Sequence, residues 1–197
     1  MGGWIIHCLL GFSKRSRKSR GSPFNITVPA SYFALVWKEG NEMGELMPFI
    51  DKNLRSNPAP NILVIQLGSN DLGILKGKEL IELIRLDVLR LRTLLPNVIL
   101  VWSEILPRRY WHVANNQVAV ENSRKRVNTA AKAIFLNEIQ KGFTIRHPNS
   151  RVTENVLYRY DGVHLSDAGN NVYLNNILGG LELCFSNVNC KLFPQES

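Results

Sequence analysis

Several features that would place this chain in a special class of protein are missing from its sequence. No apolar run approaches the roughly 18 residues that a membrane-spanning helix needs. Three cysteines show neither a disulfide framework nor paired zinc spacing, which favours a reducing compartment. Glycine (14 residues) and proline (9 residues) are too scarce for a collagen or a flexible linker, and 45% hydrophobic residues is too many for a disordered chain. We therefore expect a folded protein without a transmembrane segment.

The 197 residues fit one domain of ordinary size, and we predict a single domain over 1–197. The apolar stretch at 4–12 is followed, not preceded, by positive charges, which is the wrong polarity for a secretory signal. We therefore predict a cytoplasmic location. The sequence contains no Gly-rich dinucleotide fingerprint, no Walker loop and no cluster with metal-ligand spacing, so we expect no cofactor and no metal.

The net charge is +8, and five positive side chains crowd into the tract 14–20. They are Lys14, Arg15, Arg17, Lys18 and Arg20. Charge runs of this kind are usually solvated surface segments. The same tract could also bind RNA or another polyanion, because each phosphate contact releases counterions. Both interpretations stay open at the level of the sequence.

A strand–helix–strand unit lies in the middle of the chain. The run 62–67 is short, apolar and bounded by Pro60 and Gly68, which predicts a buried strand. Apolar residues recur with helical spacing over 78–95, and a second buried strand is predicted over 98–102. Short connections make this a βαβ unit, so we expect the two strands to be adjacent and parallel.

The same alternation continues toward the end of the chain. We predict a helix over 115–140, a strand over 143–145 and a final helix over 166–183 with Ser166 as its N-cap. A first strand could lie near 4–10, whereas 14–60 shows no clean period and is expected to be irregular. The chain therefore divides into a divergent part, 1–60, and a recognisable core, 61–183. The predicted architecture is a three-layer α/β/α sandwich on a parallel sheet.

Sites in open parallel sheets lie beyond the carboxyl ends of the strands, and two segments there carry polar side chains. Gly68 permits a sharp exit from the strand 62–67, and Asn70 can then point an amide N–H at a substrate oxygen; an ordinary Asx turn is the alternative. Asp161 and His164 are three residues apart, so the carboxylate can hold the imidazole as a base. A capped turn with a surface histidine is the alternative here. The other histidines lack such a neighbour and are expected to be structural or exposed: His7, His112 and His147.

Together these two segments resemble two sequence blocks of the SGNH hydrolases, also called GDSL esterases or lipases. Gly68-Ser69-Asn70-Asp71 is similar to block III, and Asp161-Gly162-Val163-His164 is similar to block V. The resemblance covers 61 to about 180. It implies a flavodoxin-like parallel sheet and metal-independent hydrolysis of a small-molecule ester. It also implies that His164 is the base, Asp161 its orienter and Asn70 an oxyanion donor.

The nucleophile of block I is not recognisable, because no Gly-Asp-Ser triplet follows the predicted first strand. Ser13 keeps the Gly-x-Ser spacing, and Cys8 is a second candidate. The block II glycine that would supply an oxyanion N–H is either Gly40 or Gly44. The absence of the triplet also fits a catalytically silent SGNH-like domain that binds RNA or another polyanion, which is the alternative to an esterase.

Overall fold

A computed structural model describes residues 33–36, 42–186 and 189–195, with side chains from 42 onward. Five parallel strands form one sheet in the order β1-β2-β3-β4-β5. The strands are β1 (Phe33–Val36), β2 (Ile62–Ile65), β3 (Ile99–Ser103), β4 (Gly142–Ile145) and β5 (Leu192–Phe193). The helices are α1 (Leu46–Leu54), α2 (Gly77–Leu94), α3 (Gln117–Ala133) and α4 (Asp167–Ser186).

The predicted βαβ unit is confirmed. Strands β2 and β3 are adjacent and parallel, with Ile62 paired to Ile99 and Ile65 to Trp102. All four side chains of β2 are buried, as expected of a strand that is covered on both faces. Helix α2 connects the two strands and turns one apolar stripe toward the sheet, made of Leu80, Ile84, Val88 and Leu91. Its bounds differ from the prediction by one residue at each end.

The helices lie on both faces of the sheet, which confirms the three-layer α/β/α architecture. Successive side chains of a strand point to opposite faces. In β3, Leu100 and Trp102 therefore join the core beneath α1, α2 and α3. Val101 joins a second core with residues of β4 and α4, among them Phe143 and Ile177. Within the described residues, neighbouring strands of the sheet follow one another in chain order.

The two later helices begin where side chains satisfy their first backbone N–H groups. The Asn116 side chain accepts a hydrogen bond from the N–H of Ala119 at 3.0 Å, and the Ser166 hydroxyl accepts one from Gly169 at 3.1 Å. Ser166 therefore caps α4 as predicted. The helix predicted over 115–140 ends earlier, because its last turn widens into a π-helix at Ile134–Glu138.

The expectation of irregular structure over 14–60 is wrong at two places that the structure describes. Residues 33–36 form the strand β1, and 46–54 form the helix α1. Helix α1 escaped detection because it has only nine residues, buries only Leu46 and Ile50, and carries Pro48 in its first turn. The strand β5, which lies beyond the predicted core, was also missed, because it has only two residues. The strand predicted near 4–10 lies outside the described residues.

No helix in the described part of the chain has the length and hydrophobicity required to span a bilayer.

Candidate active site

The chain leaves β2 through a conformation that only glycine adopts easily. Gly68 has a φ of +93°, and a Cβ at this position would lie 3.3 Å from the Ile105 side chain. This turn brings Ser69 and Asn70, both half-buried, to the carboxyl edge of the sheet. The sharp exit predicted for Gly68 is therefore present, and it determines where Asn70 lies.

Asp71 joins this loop to a short 3₁₀-helix, Met43–Glu45, that directly precedes α1. Its side chain is buried, and its Oδ2 accepts a hydrogen bond from the N–H of Met43 at 2.9 Å. Burial raises the pKa of this carboxyl group. The residue after Met43 is Gly44, which is exposed and has open space where a side chain would stand. One of the two candidate block II glycines thus lies beside the Asn70 loop, whereas Gly40 lies outside the described residues.

Asp161 and His164 form a hydrogen-bonded pair in the loop before α4. His164 Nδ1 is 2.6 Å from Asp161 Oδ2, and Asp161 Oδ1 accepts hydrogen bonds from the backbone N–H groups of Val163 (2.8 Å) and His164 (2.9 Å). The bond to His164 is the largest cause that lowers the pKa of Asp161 below its usual range. A carboxylate that holds Nδ1–H leaves Nε2 as the nitrogen that can accept a proton. Gly162, with a φ of +69°, makes the tight turn possible.

A third segment, which follows β3, joins these two loops. The Nη2 atom of Arg108 donates hydrogen bonds to Ser69 Oγ and Asn70 Oδ1, both at 2.9 Å. The next two backbone N–H groups, of Arg109 and Tyr110, donate to the carbonyl of Gly162 at 2.8 and 3.2 Å. Side chain and backbone of 108–110 therefore connect the Asn70 loop with the His164 loop. Sequence analysis assigned no site residue to this segment, although its place after a central parallel strand is a signal for one.

A serine–histidine contact lies deeper in the fold. The buried Ser103 Oγ is 2.8 Å from His147 Nε2. Asn176 Nδ2 is 3.2 Å from His147 Nδ1 and also donates to Asn149 Oδ1 at 2.6 Å. An amide nitrogen can only donate, so Nδ1 accepts and Nε2 carries the hydrogen. His147 therefore donates to the serine, which is the reverse of a base that takes a serine proton. His147 is structural, as predicted, although it does have polar neighbours.

Several residues that the sequence singled out lie outside the described residues. They are Ser13, Cys8, His7 and the basic tract 14–20. His112 is exposed and meets the Tyr110 ring edge-on, with ring centroids 4.8 Å apart. Cys184 and Cys190 are free thiols, and burial raises the pKa of Cys184 to about 11. Within the described residues, no three His, Cys, Asp or Glu side chains converge on a position for a metal ion.

Comparison with solved structures finds proteins that share the fold of this chain. A family 3 carbohydrate esterase from Clostridium thermocellum matches at 19% identity with a TM-score of 0.59, covering 77% of this chain and 70% of that one. A carbohydrate esterase of family 3 from Talaromyces cellulolyticus matches at 20% identity and 0.57, covering 75% and 69%. A GDSL-like lipase from Bacteroides thetaiotaomicron matches at 17% identity and 0.55, covering 74% and 73%.

No protein-family model and no curated protein sequence matches the chain. Several structural matches nevertheless agree with one another, since they include GDSL-type lipases, a putative acylhydrolase and carbohydrate esterases. The chain has the SGNH hydrolase fold that blocks III and V implied.

Proposed function

We propose that this protein is a metal-independent ester hydrolase of the SGNH type, in which His164 is the general base, Asp161 orients it and Asn70 stabilises the oxyanion. The observation that carries the proposal is the 2.6 Å bond between His164 Nδ1 and Asp161 Oδ2. The Arg108 side chain and the two backbone groups after it join this pair to the loop of Asn70. A base, its orienter and an amide donor at the carboxyl edge of a parallel sheet suit acyl transfer.

The reaction follows from the chemistry of these groups. A hydroxyl or thiol nucleophile attacks the ester carbonyl while His164 Nε2 takes its proton, and Asp161 stabilises the imidazolium that forms. The amide of Asn70 donates a hydrogen bond to the oxyanion of the tetrahedral intermediate. The imidazolium then gives the proton to the departing alcohol, which leaves the acyl group bonded to the nucleophile. A water molecule, deprotonated by the same base, attacks this acyl group, and the imidazolium returns the proton to the nucleophile as the acid leaves. Ser13 remains the predicted nucleophile, with Cys8 as the second candidate. The backbone N–H of Gly40 or Gly44 remains the predicted second donor to the oxyanion.

Hydrolysis of p-nitrophenyl acetate in the presence of EDTA tests this proposal. We expect turnover without added metal, and we expect His164→Ala to abolish nearly all of it. His112→Ala is the matched control, because it also removes an imidazole, from a residue that contacts Tyr110 beside the His164 loop. This variant should keep the wild-type rate. Ser13→Ala and Cys8→Ala then identify the nucleophile. Ester turnover that survives His164→Ala would refute the assignment of the base.

A second proposal rests on the sequence alone: a catalytically silent domain that binds RNA or another polyanion. The five cations of the tract 14–20 and the missing Gly-Asp-Ser triplet favour it. Affinity for single-stranded RNA should then fall steeply with salt, and replacing the five residues by glutamine should flatten that dependence. RNA binding that is undetectable or independent of salt, together with ester turnover, would exclude this alternative.

A further inference from the structure

The contact between Arg108 and Asn70 fixes which end of the asparagine amide meets which neighbour. A guanidinium group carries only N–H donors, so the Asn70 atom that it contacts must be the carbonyl oxygen. The opposite end of the amide, Nδ2, has no hydrogen-bond partner among the described residues. A neutral asparagine without this contact could present either end to a substrate. With it, only the donor end is available.

Arg108 is itself held from several sides. Its guanidinium carbon lies 5.1 Å from the centre of the Trp111 ring, and the same Nη2 atom also donates to Ser69. The side chain is half-buried, and the Asp161 carboxylate acts on it through charge rather than through a hydrogen bond. A cation held in place on an amide oxygen also polarises that amide, which makes its N–H groups stronger donors.

The geometry points to Arg108 as a positioning residue that orients and polarises the Asn70 amide so that Nδ2 faces the oxyanion of the tetrahedral intermediate. The inference rests on the proposed esterase function and adds to it a residue that neither block III nor block V contains. Arg108 acts through Asn70 and does not itself touch the reacting atoms. Removing it should therefore lower kcat and leave KM nearly unchanged, because the amide contributes mainly in the transition state.

A double-mutant cycle tests this dependence. Loss of one oxyanion donor typically costs about 100-fold in kcat, so we expect about that from Asn70→Ala and about 10-fold from Arg108→Ala. In the Asn70→Ala background, Arg108→Ala should cost nothing further. Added guanidinium ion at low millimolar concentration should restore part of the kcat of Arg108→Ala but none of that of the double variant. Arg151→Ala, which removes an exposed arginine whose side chain makes no hydrogen bond or ion pair among the described residues, is the control for loss of charge.

Two outcomes of the cycle would overturn the inference. One is a 10-fold loss on Arg108→Ala that persists in the Asn70→Ala background. The other is a loss that appears in KM alone, since Arg108 would then bind substrate directly. Circular dichroism and thermal unfolding of each variant show whether a loss of activity comes from misfolding. If Arg108→Ala is misfolded, Arg108→Lys takes its place, because lysine keeps the positive charge but lacks the planar guanidinium group.

A measurement without turnover keeps this inference separate from the esterase proposal. The side-chain amide of Asn70 gives a ¹H–¹⁵N pair in NMR spectra, assigned by its disappearance in Asn70→Asp. We expect Arg108→Ala to shift this pair and to speed its exchange with water, and Arg151→Ala to leave it unchanged. If the chain hydrolyses no ester but the pair responds, the positioning contact stands and the esterase proposal fails. If the pair does not respond to Arg108→Ala, the positioning role is refuted whether or not the chain is active.

Discussion

Replacing His147 by glutamine should remove a large part of the sensitivity of this fold to acid. Burial lowers the pKa of His147 to about 3, whereas a histidine in an unfolded chain titrates near 6.5. Between these two values the unfolded chain binds a proton that the folded chain excludes, so stability is lost as the pH falls below about 6.5. Each unit of difference corresponds to about 1.4 kcal/mol. The fold should lose about 2 kcal/mol from this group between pH 8 and pH 5, and about 4 kcal/mol by pH 3.

Urea unfolding followed by tryptophan fluorescence measures this effect, because Trp102 and Trp111 are buried and report on the core. The free energy of unfolding is determined at pH 8, 7, 6 and 5 for the wild type, for His147→Gln and for His112→Gln. Glutamine can still bond Ser103 and Asn176 but does not titrate. We expect His147→Gln to lose about 2 kcal/mol less than the wild type between pH 8 and pH 5, and the exposed His112→Gln to behave like the wild type.

The difference between variants isolates His147 from the carboxyl groups, which contribute equally to all three proteins. Equal losses for the wild type and His147→Gln over this range would refute the argument from burial. A large loss of ester turnover in Ser103→Ala, with the fold retained, would refute the structural role of the Ser103–His147 contact.

Three further predictions concern the loops of the candidate site. Asp161→Asn should keep the fold and lower kcat by about 10⁴-fold, because an amide no longer holds the reactive tautomer of His164. Steady-state kinetics with a p-nitrophenyl ester measures this loss, and a loss below 10-fold would contradict the prediction. Asp71→Ala should cost about 1–3 kcal/mol in urea unfolding, since the buried N–H of Met43 loses its acceptor, whereas an unchanged stability would contradict the anchoring role. Gly68→Ala should lower the free energy of unfolding by about 1–2 kcal/mol, because this residue has a positive φ. Gly44→Ala should lower it less, because there is open space where the Cβ would stand. Equal losses for the two variants would contradict the account.

Much of the core of the fold was predictable because its elements carry strong periodic signals. Helix α2 repeats its buried residues over about three turns, and β2 is a continuous apolar run that lies between Pro60 and Gly68. Helix α1 and β5 carry no such signal, because nine and two residues do not span enough periods. Their stability comes from contacts with distant parts of the chain, which no local pattern records.

The contacts within the candidate site were predictable from spacing alone only where the two residues are close in sequence. Asp161 and His164 are three residues apart, and the tight turn at Gly162 is visible in the sequence as a glycine between them. Arg108 is 38 residues from Asn70, so its role depends on the neighbouring positions of β2 and β3 in the sheet. The contact of Ser103 with His147 spans 44 residues and depends in the same way on β3 and β4.

Labelling with a fluorophosphonate tests the central claim most directly, because the probe forms a covalent bond only with a nucleophile that a working base activates. Intact-mass spectrometry measures the adduct, and peptide mapping locates it. The account predicts one adduct per chain, at Ser13 or Cys8, which forms at the wild-type rate in His112→Ala and fails to form in His164→Ala. Labelling that proceeds equally in His164→Ala, or a folded wild-type protein that takes up no probe, would contradict the claim that Asp161 and His164 form a catalytic pair.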